Sequence, residues 1–134
     1  MATIIANSIR KYKDLDLNFI SHPVKKDVNK LLDENAVIGS IRNLLQTSHY
    51  ERLFQPSIGS NIKRILFENM DPISESALKR EIEQTLTNFE PRVSVNSITI
   101  KANYDNNAYD VSLNFTVLNT SEQVSIQFSL KRDR

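Results

Sequence analysis

The side chains able to do chemistry in this 134-residue chain are two histidines, sixteen carboxylates and a scatter of serines, with no cysteine. The missing cysteine removes thiolate metal sites, Cys nucleophiles and disulfides together. His22 precedes Pro23 and His49 stands beside Tyr50, and neither has a second His or a carboxylate at helical metal spacing. A catalytic zinc normally takes three protein ligands, so both are read as solvated or interface histidines. No serine lies in a glycine-flanked elbow, and two glycines are too few to build a phosphate-cradling loop. Cleavage of a glycosidic bond needs only two carboxylates, and Glu68 with Asp71 or Glu51 with Glu90 are the pairs to consider. Sixteen acids make some such pair inevitable. One member must also lie in an apolar cleft to keep its proton near neutral pH.

Basic residues occur as Lys25-Lys26, Lys63-Arg64 and Lys131-Arg132, pairs rather than stripes, with no tryptophan anywhere. Without an interleaved aromatic platform these read as solvated faces, and a net charge of +1 is too balanced for a dedicated nucleic-acid binder. Glu90-Pro91-Arg92 differs, because it joins a helix to a sheet and both charges are held by two packed elements. Either Arg92 bonds the carbonyls at the helix C-terminus, where cations are favoured, or Glu90 and Arg92 form a preorganised pair presented to a partner. The residues alone leave both open.

A chain of this size is one domain. It has no apolar run near the roughly 20 residues of a membrane span, and no signal-peptide core, so use without export is expected. Residues 1–23 show no sustained period around Ile4, Ile5, Ile9, Tyr12, Leu15, Leu17, Phe19 and Ile20, and read as an N-terminal arm. Residues 24–134 form the domain. Val24, Val28, Leu31 and Leu32 suit a helical stripe or a ragged strand. Residues 36–47 predict a helix, with Val37, Ile41, Leu44 and Leu45 on one face and Asp33 or Asn35 as its cap. A loop from 47 to 59, broken by Pro56 and Gly59, leads to a short helix carrying Ile62, Ile65 and Leu66, capped by Ser60 or Asn61. Ser74 suits the cap of a helix over 75–89 with Leu78, Ile82, Leu86 and Phe89 as its stripe, ended by Pro91.

Strict alternation follows. Ile98, Ile100, Ala102 and Tyr104 alternate with polar residues, as do Tyr109, Val111, Leu113, Phe115 and Val117, then Val124, Ile126, Phe128 and Leu130. Short polar turns join them, which predicts an antiparallel meander of at least three strands. The expected fold is α+β, with N-terminal helices packed on one face of that C-terminal meander. Its last strand runs from Val124 through Ser125, Ile126, Gln127, Phe128 and Ser129 to Leu130 without proline or charge. An edge of that kind accepts an added strand.

Leu66-Phe67-Glu68-Asn69-Met70, Pro72, and the segment Asn88-Phe89-Glu90-Pro91-Arg92-Val93 resemble the small baseplate wedge proteins of contractile-tailed phages, a family that includes a related component of type VI secretion systems. Asp27-Val28, Ser40-Ile41-Arg42-Asn43-Leu44-Leu45, Glu51-Arg52-Leu53-Phe54-Gln55-Pro56 and Ile58-Gly59-Ser60 fit the same pattern, so the resemblance covers most of residues 24–134. The chain departs from it at Tyr50, where many members carry glycine. The resemblance implies a structural protein without cofactor, nucleic acid or membrane, in the tail baseplate of a virion assembled in the host cytoplasm. It implies that Glu90, Pro91 and Arg92 face a helical bundle of larger wedge proteins. It also implies that strand 124–130 pairs with the tail sheath protein and templates the first sheath ring, in six-fold arranged copies with tube or hub proteins as further neighbours. The family also carries the description "lysozyme-like", which keeps peptidoglycan hydrolysis by paired carboxylates as the alternative.

Overall fold

The computed structural model describes residues 12–21, 23–27 and 30–132. Ile4, Ile5, Ile9, His22, Val28 and Arg134 lie outside the described residues. The first two elements are strands β1 (Lys13–Leu15) and β2 (Lys30–Leu32), paired antiparallel with Asp14 opposite Leu31. Of the stretch 24–32, residues 30–32 are strand, whereas Val24 lies exposed in a turn.

Helix α1 (Asp33–Gln46) buries Val37, Ile41, Leu44 and Leu45, as their spacing predicts. Its cap is a correction. The N-cap is Leu32, with no side-chain cap bond, and neither Asp33 nor Asn35 fills that position. Instead the Asp33 N–H donates to the Tyr12 carbonyl at 2.8 Å. A neighbouring strand satisfies the group that a capping side chain otherwise would. Asp33 and Glu34 still complement the helix dipole from the first turn.

Helix α2 (Ile62–Leu66) begins after Asn61, whose side chain makes no cap bond. The Asn61 N–H donates to Glu81 Oε1 at 2.8 Å, while the Ser60 hydroxyl is buried and donates to the Leu45 carbonyl. Helix α3 (Pro72–Phe89) starts three residues earlier than the expected 75, because its cap is Asp71 and not Ser74. The Asp71 carboxylate accepts from the Ser74 N–H at 2.7 Å. Pro72 at the first turn fits, since its φ is preset and its absent N–H would have no partner there.

Strands β3 (Val93–Asn103), β4 (Ala108–Val117) and β5 (Glu122–Lys131) form an antiparallel sheet in the order β3-β4-β5. Strand β3 is longer than the alternation indicated. Its apolar positions are Val93 and Val95, then Ile98 and Ile100, and the register shift between Val95 and Ser97 reconciles the two phases. A bulge at Asn96 supplies the one extra residue. Tyr104 leaves the apolar face: it is exposed in the β3–β4 turn, where its carbonyl accepts from the Asn107 N–H.

Central strand β4 buries Tyr109, Val111, Leu113, Phe115 and Val117. These join Leu78, Ile82 and Leu86 of α3, Val37 and Ile41 of α1, and Ile62 and Leu66 of α2 in one apolar cluster. Arg132 overturns its reading as one of a solvated pair, because it is buried. Its Nε and Nη2 donate to the carbonyls of Leu66 and Glu68 at 2.7 and 2.6 Å.

Candidate functional site

Helix α3 ends at Phe89, and the Glu90 N–H closes its last turn on the Leu86 carbonyl. Proline at 91 forces the chain out of the helix and into an exposed turn. That turn brings Arg92 back over Glu90. Nε and Nη2 of Arg92 donate to the two carboxylate oxygens at 2.6 and 3.0 Å, a bidentate fork. Ser40 of α1 donates a third bond to the same carboxylate at 2.6 Å. The Glu90 side chain is only 3% exposed and that of Arg92 25%. Cζ of Arg92 lies 5.3 Å from the Tyr12 ring centroid, a cation–π contact. Burial pushes the Glu90 carboxyl up, but the bonds from Arg92 and Ser40 and the Arg92 charge together outweigh it and hold it below the ordinary glutamate value. Among the described residues the Arg92 guanidinium bonds no α3 carbonyl.

Three of the four carboxylates considered for hydrolysis, Glu51, Asp71 and Glu90, serve other ends. Glu51 accepts from the Ser48 N–H and pairs with Lys63 at 3.8 Å, whereas Glu90 is committed to Arg92 and Ser40. Asp71 caps α3, and its bond from the Ser74 N–H lowers its carboxyl below the ordinary value. Glu34 is raised, first by a hydrogen bond with Glu122 and then by that residue's charge, but it lies at the surface and outside any cleft. An acid that must hold its proton in an apolar pocket is not formed by these groups. His49 Nδ1 lies 3.1 Å from the Ser57 carbonyl at the surface. Among the described residues no three His, Asp or Glu side chains are grouped to hold a metal.

The second site is the β5 edge. Val124, Ile126, Phe128 and Leu130 are half-buried, and Ser125, Gln127 and Ser129 are exposed on the other face. The Arg132 N–H donates to the Asn107 carbonyl of the adjoining turn. Because N–H directions alternate along an antiparallel strand, the N–H groups of Ser125, Gln127 and Ser129 point away from β4. Beside them, Ile126, Phe128 and Leu130 border a groove of about 180 Å³ whose other wall is Ile41 and Leu45 of α1. The opposite edge, β3, is blocked twice. It carries the Asn96 bulge, and its Ala102 N–H donates to Glu75 Oε1 of α3 at 3.2 Å.

Ser40 belongs to the Glu90 fork and its neighbour Ile41 to the β5 groove. Adjacent helical residues diverge by about 100°, so α1 stands between the two sites and the structure does not merge them. Sequence reasoning missed Ser40 and Tyr12 as partners of Glu90 and Arg92, since neither is near them in the chain. Residues 47–59 form the expected loop, and Tyr50, where the resemblance favours glycine, sits in it at φ 67°.

Helices joined to a three-stranded antiparallel meander define an α+β fold. The family model described as "Baseplate wedge protein gp25" matches residues 32–122, and the chain belongs to that family of tail-baseplate structural components. Baseplate wedge protein gp25 of Enterobacteria phage T4 is 28% identical over 128 residues, covering 93% of this chain and 96% of that one. The fold is shared with three solved structures. A putative tail lysozyme from Geobacter sulfurreducens has a TM-score of 0.70 at 20% identity, over 75% of this chain and 92% of that one. A chain of the anti-feeding prophage baseplate gives 0.64 at 18% identity, over 92% and 88%. A chain of the post-contracted pyocin R2 baseplate gives 0.62 at 20% identity, over 79% and 98%.

Proposed function

We propose that this chain is a structural adaptor that joins the wedge core of the baseplate to the tail sheath and templates the first sheath ring, and that it does no hydrolysis. The observation that carries the reading is the asymmetry of the sheet: β3 is bulged and has a donor occupied by Glu75, whereas β5 has an open row of outward N–H groups beside an apolar groove. A strand from a sheath subunit added along β5 gains main-chain bonds, and its alternate side chains enter the groove. In this reading the helices cover one face of the meander and leave that edge to the partner. Glu90, Pro91 and Arg92 meet the larger wedge proteins, with the buried carboxylate fixing the guanidinium so that little ordering is lost on contact. Residues 1–23 act as an arm to a neighbour such as a tube or hub protein, and 24–134 as the domain. Six-fold placement of the copies presents each β5 edge in an equivalent orientation.

Proline scanning tests the edge. Ser125→Pro, Gln127→Pro or Ser129→Pro removes an outward donor, so the isolated protein should fold and enter baseplates that carry no sheath. Ile126→Pro or Phe128→Pro removes a ladder bond and should destabilise the protein itself. Sheath of full length on every folded variant would overturn the proposal. Arg92→Ala should leave the protein folded and block wedge assembly, with Arg92→Lys a poor rescue because a point charge lacks the planar fork.

A further inference from the structure

We infer, building on the strand addition proposed above, that the sheath strand received along β5 alternates apolar residues and carries a carboxylate where that run ends, facing Lys63 and Lys131. The groove beside β5 continues past its first chamber of about 180 Å³. Leu45, Gln46, Ser129 and Leu130 border that chamber and also a second one of about 440 Å³, so the two are continuous. Ile62, Leu66 and Phe67 complete the apolar lining of the second, and Phe67 is 68% exposed. An added strand sets its groove-side residues against Ile126, Phe128 and Leu130, two positions or about 7 Å apart. Successive ones fall over the two chambers, where apolar side chains gain most by burial.

Charge fixes what ends that run. Every charged residue bordering the two chambers is a cation: Arg42 at the first, Lys63 and Lys131 at the second. Among the described residues Arg42 and Lys131 make no ion pair. Lys63 meets Glu51 across 3.8 Å with both side chains more than half exposed, and a surface pair of that kind is weak. The acids of this edge, Glu34 and Glu122, share a hydrogen bond at the start of β5, at the far end of the strand from Lys131. A strand ending in lysine would bring like charge to the rim of the second chamber. A wholly apolar strand would dry the two lysines without giving them a counter-ion, which costs free energy. A carboxylate avoids both costs and leaves the main-chain pairing untouched.

The test uses the full chain and synthetic peptides of about ten residues that alternate leucine and threonine, with both termini blocked. One carries glutamate at each end of the alternation and the other lysine, so either strand direction puts the charge beside Lys63 and Lys131. By fluorescence anisotropy the glutamate peptide should bind roughly 10-fold more tightly, with the gap narrowing as salt is raised. Lys63→Gln with Lys131→Gln should keep the parent's melting temperature and abolish the preference, and Lys63→Glu with Lys131→Glu should reverse it. Lys79→Gln with Arg80→Gln, at exposed cations of α3 away from the groove, should leave it unchanged. Equal binding of the two peptides would overturn the inference, as would a preference erased by the α3 pair, which would make it an effect of bulk charge. A glutamate peptide methylated on alternate amide nitrogens should bind far less. If methylation blocks both peptides yet the unmodified ones bind equally, strand addition stands and only the acid requirement falls. If methylation changes nothing, or neither peptide binds at about 1 mM, strand addition falls and takes the acid requirement with it. Dimerisation of the isolated chain that Lys131→Glu abolishes would give the edge to a second copy and overturn the inference as well.

Discussion

Arg132 is a buried guanidinium that, among the described residues, pairs with no carboxylate. Its acceptors are the Leu66 and Glu68 carbonyls at the end of α2 and, at 3.3 Å, Asn107 Oδ1 in the β3–β4 turn. Carbonyls at a helix C-terminus favour a cation, and three fixed acceptors suit a planar donor. Arg132→Ala should therefore lower the unfolding free energy by about 2–4 kcal/mol, since it strands buried acceptors. Arg132→Lys should recover little of that in a urea titration. Glu90 makes a pH-dependent contribution of known sign. Its carboxyl is held below 4.5, the ordinary value, in the folded chain. The stabilisation is present above 4.5 and is lost as pH falls through the depressed folded value. The urea midpoints of the parent and Glu90→Gln should differ most at neutral pH and converge under acid conditions. The Glu90–Arg92 pair was among the readings of the sequence, but the Leu66 carbonyl bonded by Arg132 and the Ser40 hydroxyl bonded to Glu90 stand 66 and 50 positions away, which no local pattern encodes.

At the scale of elements, what could be read was periodicity, and what could not was its interruption. The stripes of α1 and α3 and the alternation of β4 and β5 are intact repeats, so they were legible to within a few residues. The start of β3 was not, because its apolar residues change phase at Asn96. The same residue yields a prediction. Deleting Asn96 restores one unbroken alternation from Val93 to Ala102 and loses the exposed bond from Asn96 Nδ2 to Thr116 Oγ1. The shortened chain should fold with a melting temperature close to the parent. It should also self-associate more, visible by size-exclusion chromatography, because a flat edge replaces a bulged one. The caps of α1 and α3 show a different limit. Several capping residue types stood near each start, and packing by β1 and the fixed φ of Pro72 chose among them.

For the whole molecule, the cluster that unites helices and sheet is centred on β4, whose inward residues are flanked by both neighbouring strands. Phe115, fully buried there, is the sharpest probe of it. Phe115→Ala should cost about 3–5 kcal/mol and lower the melting temperature substantially. An unchanged melting temperature would mean that the buried face of the sheet is not the one described. That β5 is an edge strand without charge or proline between Glu122 and Lys131 was legible, because composition is a property of sequence. That β3 is closed was not, since Glu75 reaches it from α3. The N-terminal residues gave no period because Leu15, Leu17, Phe19 and Ile20 are exposed, and exposed apolar residues follow no packing rule.

The Arg132 anchor also sets how the molecule meets mechanical force. A pull along β5 shears every bond of the β4–β5 ladder at once, whereas a pull across it would peel them singly. Peeling from the C-terminal end must first break the guanidinium's hold on Leu66 and Glu68. Tension applied to the last strand is thereby handed to the helices at the point where the strand ends, and the sheet is spared from opening like a zip.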